Sequence, residues 1–379
     1  MTVPLRVLLI VILWMLCWAG MRSLPSDSKP SFSRPPASGQ PSADTILQTE
    51  TINPAQGLPM VHVAALAQTP EGILHCVWYG GTAECHPDVK IYLSEKEPGG
   101  HWTAPRAIMT REQAERDLGR PVKAVGNALL IADADGSLRL LFVTIAMGKW
   151  SGSQLNSSLS KDGGLTWSRA QHLTLSPFFN LSELVRNRPL PLEGGGWCVP
   201  IYQEFLGKFP ELLWLGKDGS YRKSRIAGGC TSFQPSVIPI DDSKAVALLR
   251  DYTDDRRIFR SFSAKGGISW SCPAPTSLPN PDAGVSGLLL SDHRLLVAFN
   301  NSPKNRSDLS LSITPDEGMT WTQPVVLERE AGASFSYPYL LRTTEGLIRL
   351  AYTWKGRELR LITLNESWLN DQTARAGKP

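Results

Sequence analysis

Ser160-Lys161-Asp162-Gly163-Gly164-Leu165-Thr166-Trp167 is the stretch that decides the fold, because its pattern S-x-D-x-G-x-T-W recurs along the chain. Thr314 to Trp321 repeats the pattern with Thr in place of Ser, and Ser263 to Trp270 lacks the Asp and has Ser in place of Thr. Weaker copies are Gly216 to Tyr221 and Ser94 to Trp102. The closing aromatic residues lie at positions 102, 167, 221, 270 and 321, so successive gaps are 65, 54, 49 and 51 residues. A period near this length is typical of the blades of a propeller.

The residue types of the motif are those of a β-hairpin turn. Asp and Ser or Thr side chains hydrogen-bond nearby backbone, Gly supplies positive φ, and Trp seals the turn. A second regularity is an apolar, alternating strand that opens at a polar or Pro-marked position. Such strands begin near Val61, Gly126, Asn187, Phe233, Asn280 and Ser336. Six of them predict an all-β fold, a six-bladed β-propeller in which each sheet buries its faces against its neighbours.

The composition is that of a globular protein with many short strands and turns. Hydrophobic residues make up 42% and charged residues 20%, with 32 Gly, 29 Pro and 12 Trp. The net charge is only +4, and no basic run is interleaved with aromatic residues, so we expect no nucleic-acid partner. Cys and His show no metal-binding spacing, so we expect no metal and no other cofactor. Cys76 and Cys85 either form a disulfide in an oxidising compartment or remain buried thiols.

The N-terminus predicts export. A charged start, Met1 to Arg6, is followed by the apolar stretch Val7 to Gly20, about as long as the core of a signal peptide. Residues 1–22 are therefore expected to be a cleaved signal peptide or a membrane anchor. Residues 23–50, rich in Ser and Pro without an apolar period, predict a flexible linker, and residues 51–370 the propeller. We expect a periplasmic or secreted protein, or one tethered to the membrane by its N-terminal segment.

In a propeller the first strand of each blade lines the central axis, so side chains at the strand starts converge on one face. That face is the default binding site. The candidate side chains at the strand starts are His62, Asn127, Arg188, Gln234, Asp282 and Tyr337. Neighbouring strand ends and loops add Glu84, Asp88, Tyr202, Glu204, Arg250 and Arg306.

At these residues the chain resembles the sialidase (neuraminidase) superfamily, six-bladed propellers whose hairpin turns carry the same motif, the Asp box of BNR repeats. The resemblance covers about residues 58–368. Gln234-Pro235-Ser236, followed by Ala247 to Arg250, resembles the blade that supplies a Glu and an Arg. Asn300 to Arg306 is similar to the segment that supplies a further Arg, and Phe335-Ser336-Tyr337-Pro338 to the last blade, which supplies the nucleophilic Tyr.

The resemblance implies an exported glycoside hydrolase that releases terminal acidic sugars. Guanidinium groups, here Arg250 and Arg306, would grip the sugar carboxylate bidentately. Tyr337 would be the nucleophile, because a carboxylate there would be repelled by the charge of the substrate. Glu84 or Asp88 would act as acid and base, since their loop lies where that residue belongs.

Besides the loop that stands in place of the acid/base Asp, two positions depart from the sialidase pattern. His62 stands where the first Arg belongs, and Gln234 stands where the Glu base belongs. We expect Arg188 to offset the missing Arg and Glu204 to activate Tyr337. Asn127, Tyr202, Gln234 and Asp282 are expected to bind substrate.

Two alternatives remain open. One is a polysaccharide lyase on uronic acids, in which an Arg neutralises the carboxylate while His62 and Tyr337 act as base and acid. The other is a propeller that binds acidic glycans without turnover.

Overall fold

The computed structural model describes residues 3–22, 31–33, 44–53, 57–176, 180–226, 229 and 231–376. Helix α1 (Val3–Arg22) covers the apolar N-terminal segment and belongs to a separate unit, residues 1–30. Within the described residues, no helix has both the length and the apolar character needed to span a bilayer. The predicted linker lies partly outside the described residues, at positions 23–30 and 34–43.

The rest of the described chain forms six antiparallel sheets, which confirms the predicted six-bladed propeller. Blade 1 contains β2 (Met60–Gln68), β3 (Leu74–Gly81), β4 (Lys90–Lys96) and β5 (Arg106–Met109). Blade 2 contains β6 (Ala124–Ala132), β7 (Leu138–Ile145), β8 (Ser153–Ser160) and β9 (Gln171–His172). Blade 3 contains β10 (Leu184–Val185), β11 (Leu190–Pro191), β12 (Trp197–Gln203), β13 (Phe209–Leu215) and β14 (Tyr221–Arg225).

Blades 4 to 6 follow the same up-and-down order. Blade 4 contains β15 (Ser232–Pro239), β16 (Ala245–Asp251), β17 (Arg257–Ser263) and β18 (Ala274–Pro279). Blade 5 contains β19 (Ser286–Leu289), β20 (Leu295–Phe299), β21 (Asp308–Thr314) and β22 (Val325–Arg329). Blade 6 contains β23 (Phe335–Arg342), β24 (Ile348–Trp354), β25 (Glu358–Leu364) and, as its outer strand, β1 (Leu47–Thr51).

The ring is closed by β1, which pairs antiparallel with β25 from Leu47 opposite Leu364 to Thr51 opposite Arg360. The propeller therefore begins before residue 51, where the sequence placed its start. An edge strand with three exposed and two half-buried residues has no apolar alternation to reveal it. Phe32, also within the predicted linker, is buried and forms a bridge to Leu192 of blade 3.

Two short helices and one helical turn lie outside the strands of the blades in the described chain. Helix α2 (Arg111–Leu118) joins blades 1 and 2, and its N-terminus is capped by the Thr110 hydroxyl, which accepts from the amide of Gln113 at 3.2 Å. Helix α3 (Glu366–Ala376) follows blade 6, and a 3-10 turn spans Trp150–Gly152.

The repeat motif forms the hairpin turns that its residue types predict. The Asp162 carboxylate accepts from the amide of Thr166 at 2.9 Å and from the hydroxyl of Ser160 at 2.7 Å. The indole of Trp167 donates to the carbonyl of Gly164 at 3.1 Å and closes the turn. Asp162 is therefore used by its own turn, which is a structural role.

The first strands of blades 1, 4 and 6 carry β-bulges near their N-terminal ends. Register shifts fall between His62 and Ala65, between Phe233 and Ser236, and between Ser336 and Tyr339. Within the last two bulges, Gln234 and Tyr337 have φ of 50° and 55°. Positive φ costs a non-glycine residue about 1 kcal/mol or more and is concentrated at functional sites. The bulges turn these side chains towards the axis.

Cys76, Cys85, Cys198 and Cys272 are all free thiols. Cys76 and Cys85 are buried, which is the second of the two alternatives that the sequence left open. Burial raises the pKa of the Cys85 thiol to about 11, so it is protonated and unreactive at neutral pH.

Candidate active site

Side chains from several blades surround Tyr337 at one mouth of the axis. The ring of His62 meets the ring of Tyr337 edge to face, with 4.6 Å between the centroids. The guanidinium carbons of Arg186 and Arg306 each lie 5.3 Å from the centroid of the Tyr337 ring. The phenol thus sits among groups from blades 1, 3 and 5, two of them cationic.

Arg186 was missed by the sequence analysis, which selected Arg188. It is 2% exposed, and Nη1 donates to the carbonyl of Val285 and to Oδ1 of Asn187, both at 2.6 Å. Nη2 donates to the carbonyl of Pro338 at 2.6 Å, directly after the nucleophile candidate. Burial lowers the pKa of Arg186 to about 10, which still leaves it charged at neutral pH.

Arg188 does not join this site, and its prediction as a substrate-binding residue is corrected here. It lines a cavity at the other end of the first strands, together with Tyr339 and Leu66. The cause is an insertion in blade 3. Val185 pairs with Ile201 and Leu190 with Cys198, so four residues of the inner strand oppose two of its partner. Arg188-Pro189 of blade 3 therefore does not occupy the position on the inner strand that Gln234-Pro235 occupies in blade 4 and Tyr337-Pro338 in blade 6.

Arg250 and Arg306 are held by Asp282, which lies in the segment between blades 4 and 5. Arg250 Nε donates to the Asp282 carboxylate at 2.6 Å, and Arg306 Nη2 donates to the Asp282 backbone carbonyl at 3.0 Å. Arg250 Nη1 also donates to Oε1 of Gln234 at 3.3 Å. A guanidinium has five N–H groups. Nη2 of Arg250 and both Nε and Nη1 of Arg306 have no partner in the described part of the chain, so they are available to a ligand.

Glu84 is the carboxylate that lies beside the aromatic cluster. Oε1 is 3.4 Å from Nε2 of His62 and accepts from the hydroxyl of Tyr79 at 3.2 Å. Oε2 accepts from the indole of Trp150 at 3.3 Å. The Glu84 side chain is 40% exposed, so it is both anchored and accessible from solvent.

His62 is held in its neutral form. Burial lowers its pKa from 6.5 to about 4, Glu84 opposes the change, and Arg306 and Arg186 add to it. Nδ1 lies 3.2 Å from the hydroxyl of Thr353, which also accepts from the amide of Val63. A neutral imidazole next to a phenol is able to accept its proton.

Asp88, the other carboxylate of the same loop, is used by the loop itself. It accepts from the amide and the hydroxyl of Thr82, at 3.0 and 2.7 Å, and contacts Nδ1 of His86 at 2.5 Å. The hydrogen bond from Thr82 is the main cause that lowers the pKa of Asp88. A carboxyl group held ionised in this way is a poor proton donor, so the geometry favours Glu84 over Asp88.

Three of the predicted substrate-binding side chains form a buried network next to Arg250. The hydroxyl of Tyr202, which is 2% exposed, accepts from Nδ2 of Asn127 at 3.1 Å and from Nε2 of Gln234 at 3.2 Å. Burial raises the pKa of Tyr202 above its ordinary value. Gln234 therefore contacts Arg250 directly, and Tyr202 and Asn127 extend this buried network.

Glu204 lies at the edge of this network. Its carboxylate is 3.9 Å from Nζ of Lys208, and burial raises its pKa. Within the described residues it makes no hydrogen bond with Tyr337. No group of three or more His, Cys, Asp or Glu in that part of the chain has the arrangement of a metal site.

With this geometry in place, the sequence matches the BNR repeat-like domain family over residues 72–350. The chain belongs to that family. Comparison with curated protein sequences gives no significant match.

Solved structures resemble this BNR repeat-like protein in fold. A Hadza microbial sialidase has a TM-score of 0.71 at 16% identity, over 84% of this chain and 68% of the sialidase. The NanB sialidase from Streptococcus pneumoniae has a TM-score of 0.67 at 11% identity, over 92% and 72%. A protein of unknown function from Dyadobacter fermentans has a TM-score of 0.66 at 15% identity, over 84% and 99%. The family and the fold together make this a BNR repeat-like protein with a fold similar to that of sialidases.

Proposed function

We propose that this BNR repeat-like protein is a glycoside hydrolase of the exo-α-sialidase type, which releases terminal acidic sugars with Tyr337 as nucleophile. The observation that carries the proposal is the position of Tyr337, between the Arg186 and Arg306 guanidinium groups, each 5.3 Å from its ring centroid. An acidic sugar brings the complementary negative charge to this mouth of the axis.

The arginines divide the work of binding. Arg250 and Arg306 have N–H groups free for a carboxylate, and Asp282 orients both. Three N–H groups of Arg186 donate hydrogen bonds to Asn187 and to two backbone carbonyls. Arg186 therefore contributes positive charge and fixes the backbone beside Tyr337. Carboxylate binding would place the anomeric carbon next to the phenol.

The proposed reaction proceeds in two steps. In the first, His62 takes the proton of Tyr337 as its oxygen attacks the anomeric carbon, and Glu84 protonates the departing glycosidic oxygen. In the second, Glu84 accepts a proton from water as the water displaces the tyrosyl oxygen, which recovers its proton from His62. This assignment replaces Glu204, the expected activating carboxylate, with His62, because the His62 imidazole is neutral and its ring packs edge to face on the ring of Tyr337.

The test is to incubate the full chain with sialylated and uronate-containing glycans and to read the products by mass spectrometry. We expect release of a hydrated terminal acidic sugar, lost in Tyr337→Phe. The matched control is Tyr221→Phe, on the outer strand of blade 3, which should keep activity. If Tyr337→Phe releases sugar as fast as the parent protein, the mechanism is wrong.

One observation also favours a uronate lyase. A neutral His62 beside a phenol and a cluster of arginines is the base and acid pair that β-elimination next to a carboxylate requires. In that case the product is an unsaturated uronate, lighter by one water and absorbing in the near ultraviolet. His62→Ala would abolish its formation, whereas a glycan that binds without any product would oppose both enzymes.

The proposed substrates are extracellular glycans, which accords with the export that residues 1–22 predict. Export stays a prediction. Secretion of a reporter fused to this segment tests it, and retention of the reporter in the cytoplasm would contradict it.

A further inference from the structure

The axis has a second cavity at its other mouth, of about 260 Å³. The first strands of all six blades contribute to its wall. One lining residue from each blade, in order, is Leu66, Leu130, Arg188, Pro239, Leu288 and Tyr339. Since the inner strands run from one mouth to the other, Arg186 and Tyr337 serve the first mouth while Arg188 and Tyr339 serve the second.

Most polar groups on this wall already have partners. Arg342 is paired with Glu366 at 2.8 Å, and the indole of Trp197 donates to Asp133 at 2.7 Å. Gln68 Oε1 accepts from the amide of Thr344 at 2.8 Å. The charge of Arg342 is therefore already paired with a carboxylate of the protein.

Arg188 differs from Arg342 because no carboxylate of the described residues pairs with it. Nε of Arg188 and the hydroxyl of Tyr339 are shielded from solvent without a hydrogen-bond partner. Within the described residues, Arg188 makes no hydrogen bond and no ion pair, and no Asp or Glu lines the cavity. A guanidinium remains charged in a protein, and leaving a charged donor unpaired in an apolar surrounding is costly.

We propose that this cavity is a binding site for a small carboxylate with a compact apolar body, such as an aryl or branched-chain carboxylate. Its oxygens would accept from Arg188 and Tyr339, and its body would contact Leu66, Leu130 and Leu288. A cavity of about 260 Å³ lies just below the usual range for ligand pockets, which suits a ligand of about ten non-hydrogen atoms. A fully hydrophilic anion such as a sugar acid would leave its hydroxyl groups against apolar walls. The site is distinct from the one proposed for glycans, and the proposal does not depend on that function.

The test is calorimetric titration of the full chain with benzoate, and with benzyl alcohol as the uncharged counterpart of similar shape. We expect saturable binding of one benzoate, and binding of benzyl alcohol weaker by about tenfold or more, because charge-assisted hydrogen bonds are the strong ones. Arg188→Gln should weaken benzoate binding by a similar factor. Tyr339→Phe should weaken it by about fivefold, the loss of one neutral donor.

Two further variants separate the mouths of the axis. Arg250→Gln alters only the first mouth and should leave the benzoate Kd within about twofold. Ala132→Leu fills the second cavity while keeping Arg188, and should block binding. The proposal is overturned if benzoate does not saturate the protein at millimolar concentration. It is equally overturned if Arg188→Gln and Ala132→Leu bind benzoate like the parent protein while Arg250→Gln does not.

Discussion

Acid should destabilise the protein through His62, and the size of the effect follows from its surroundings. The side chain is 14% exposed, and burial lowers its pKa from 6.5 to about 4. Between these two values the unfolded chain binds a proton on this imidazole that the folded protein does not bind. Stability therefore falls as the pH decreases from 6.5 to about 4 and stops falling below that. Each pH unit is worth about 1.4 kcal/mol, so the full loss is about 3 kcal/mol.

The variant that isolates this effect is His62→Gln. A glutamine side chain can still form hydrogen bonds with Thr353 and Glu84, the two partners of the imidazole, but it does not titrate. Burial also lowers the pKa values of His75 and His172 to about 4. Those two side chains titrate in both proteins, so their contribution cancels in the comparison.

The measurement is urea unfolding of both proteins at intervals from about pH 7.5 to pH 4. Above pH 6.5 the two free energies of unfolding should differ by a constant. Below it, the parent protein should lose about 3 kcal/mol more than His62→Gln by about pH 4. Parallel curves over the whole range would show that His62 is not held neutral, and its assignment as the proton acceptor of Tyr337 would fall with that result.

Two further changes test the packing around the site and in blade 3. Gly284→Ala would place a Cβ 2.9 Å from the guanidinium carbon of Arg186 and 3.1 Å from Cδ1 of Tyr337. It should lower kcat/KM for sugar release by about tenfold or more, because it displaces Arg186 and Tyr337. The control is Gly194→Ala, whose new Cβ meets open space and should leave kcat/KM unchanged. Equal kcat/KM values for the two variants would contradict this argument. Glu183 is fully buried, and its Oε1 lies 2.8 Å from Nζ of Lys223. Lys223→Met removes this partner and should lower the free energy of unfolding by about 3–5 kcal/mol, measured with urea at pH 8. Burial raises the pKa of Glu183 to about 7 even though Lys223 lowers it, so the pKa is higher still without Lys223. The cost should therefore shrink as the pH falls towards 7, because Glu183 takes up a proton in the variant before it does so in the parent protein. A cost that does not depend on pH would refute the argument.

The fold was predictable because its signals are local and repeated. The two complete copies of the turn motif each place Asp, Gly and Trp within eight residues, and the pairing of Asp162 with Ser160 and Thr166 needs nothing from the rest of the chain. The closing strand Leu47–Thr51 gave no such signal. Its partner is Glu358–Leu364, about three hundred residues away, and its side chains are mostly exposed. Only long-range pairing identifies it as part of blade 6.

The candidate site was predictable for side chains that lie in the recurring pattern at the start of each inner strand. Tyr337, Gln234 and His62 mark bulges that recur between blades, so a pattern places them at one mouth. Arg186 was beyond such reasoning, because the insertion in blade 3 changes which of two nearby arginines faces that mouth.

The carboxylates of the blade 1 loop posed a different difficulty. Glu84 and Asp88 both carry a carboxylate and lie four residues apart in one polar loop, so the sequence does not distinguish them. They differ in their hydrogen-bond donors. Tyr79 and Trp150 donate to Glu84, whereas Thr82 donates to Asp88. Such contacts are set by the folded loop and have no counterpart in spacing or composition.

The two departures from the sialidase pattern are physically matched. His62 is neutral where an Arg is expected, which removes one positive charge, and Gln234 replaces a Glu, which removes one negative charge. A carboxylate at position 234 would be 4% exposed and would compete with a substrate for Arg250, which already pairs with Asp282. The Gln234 amide instead accepts from Arg250 and donates to Tyr202 without charge. Because both changes cancel, the mouth of the axis keeps the balance of charge that an anionic ligand requires, with Arg186 adding positive charge from blade 3.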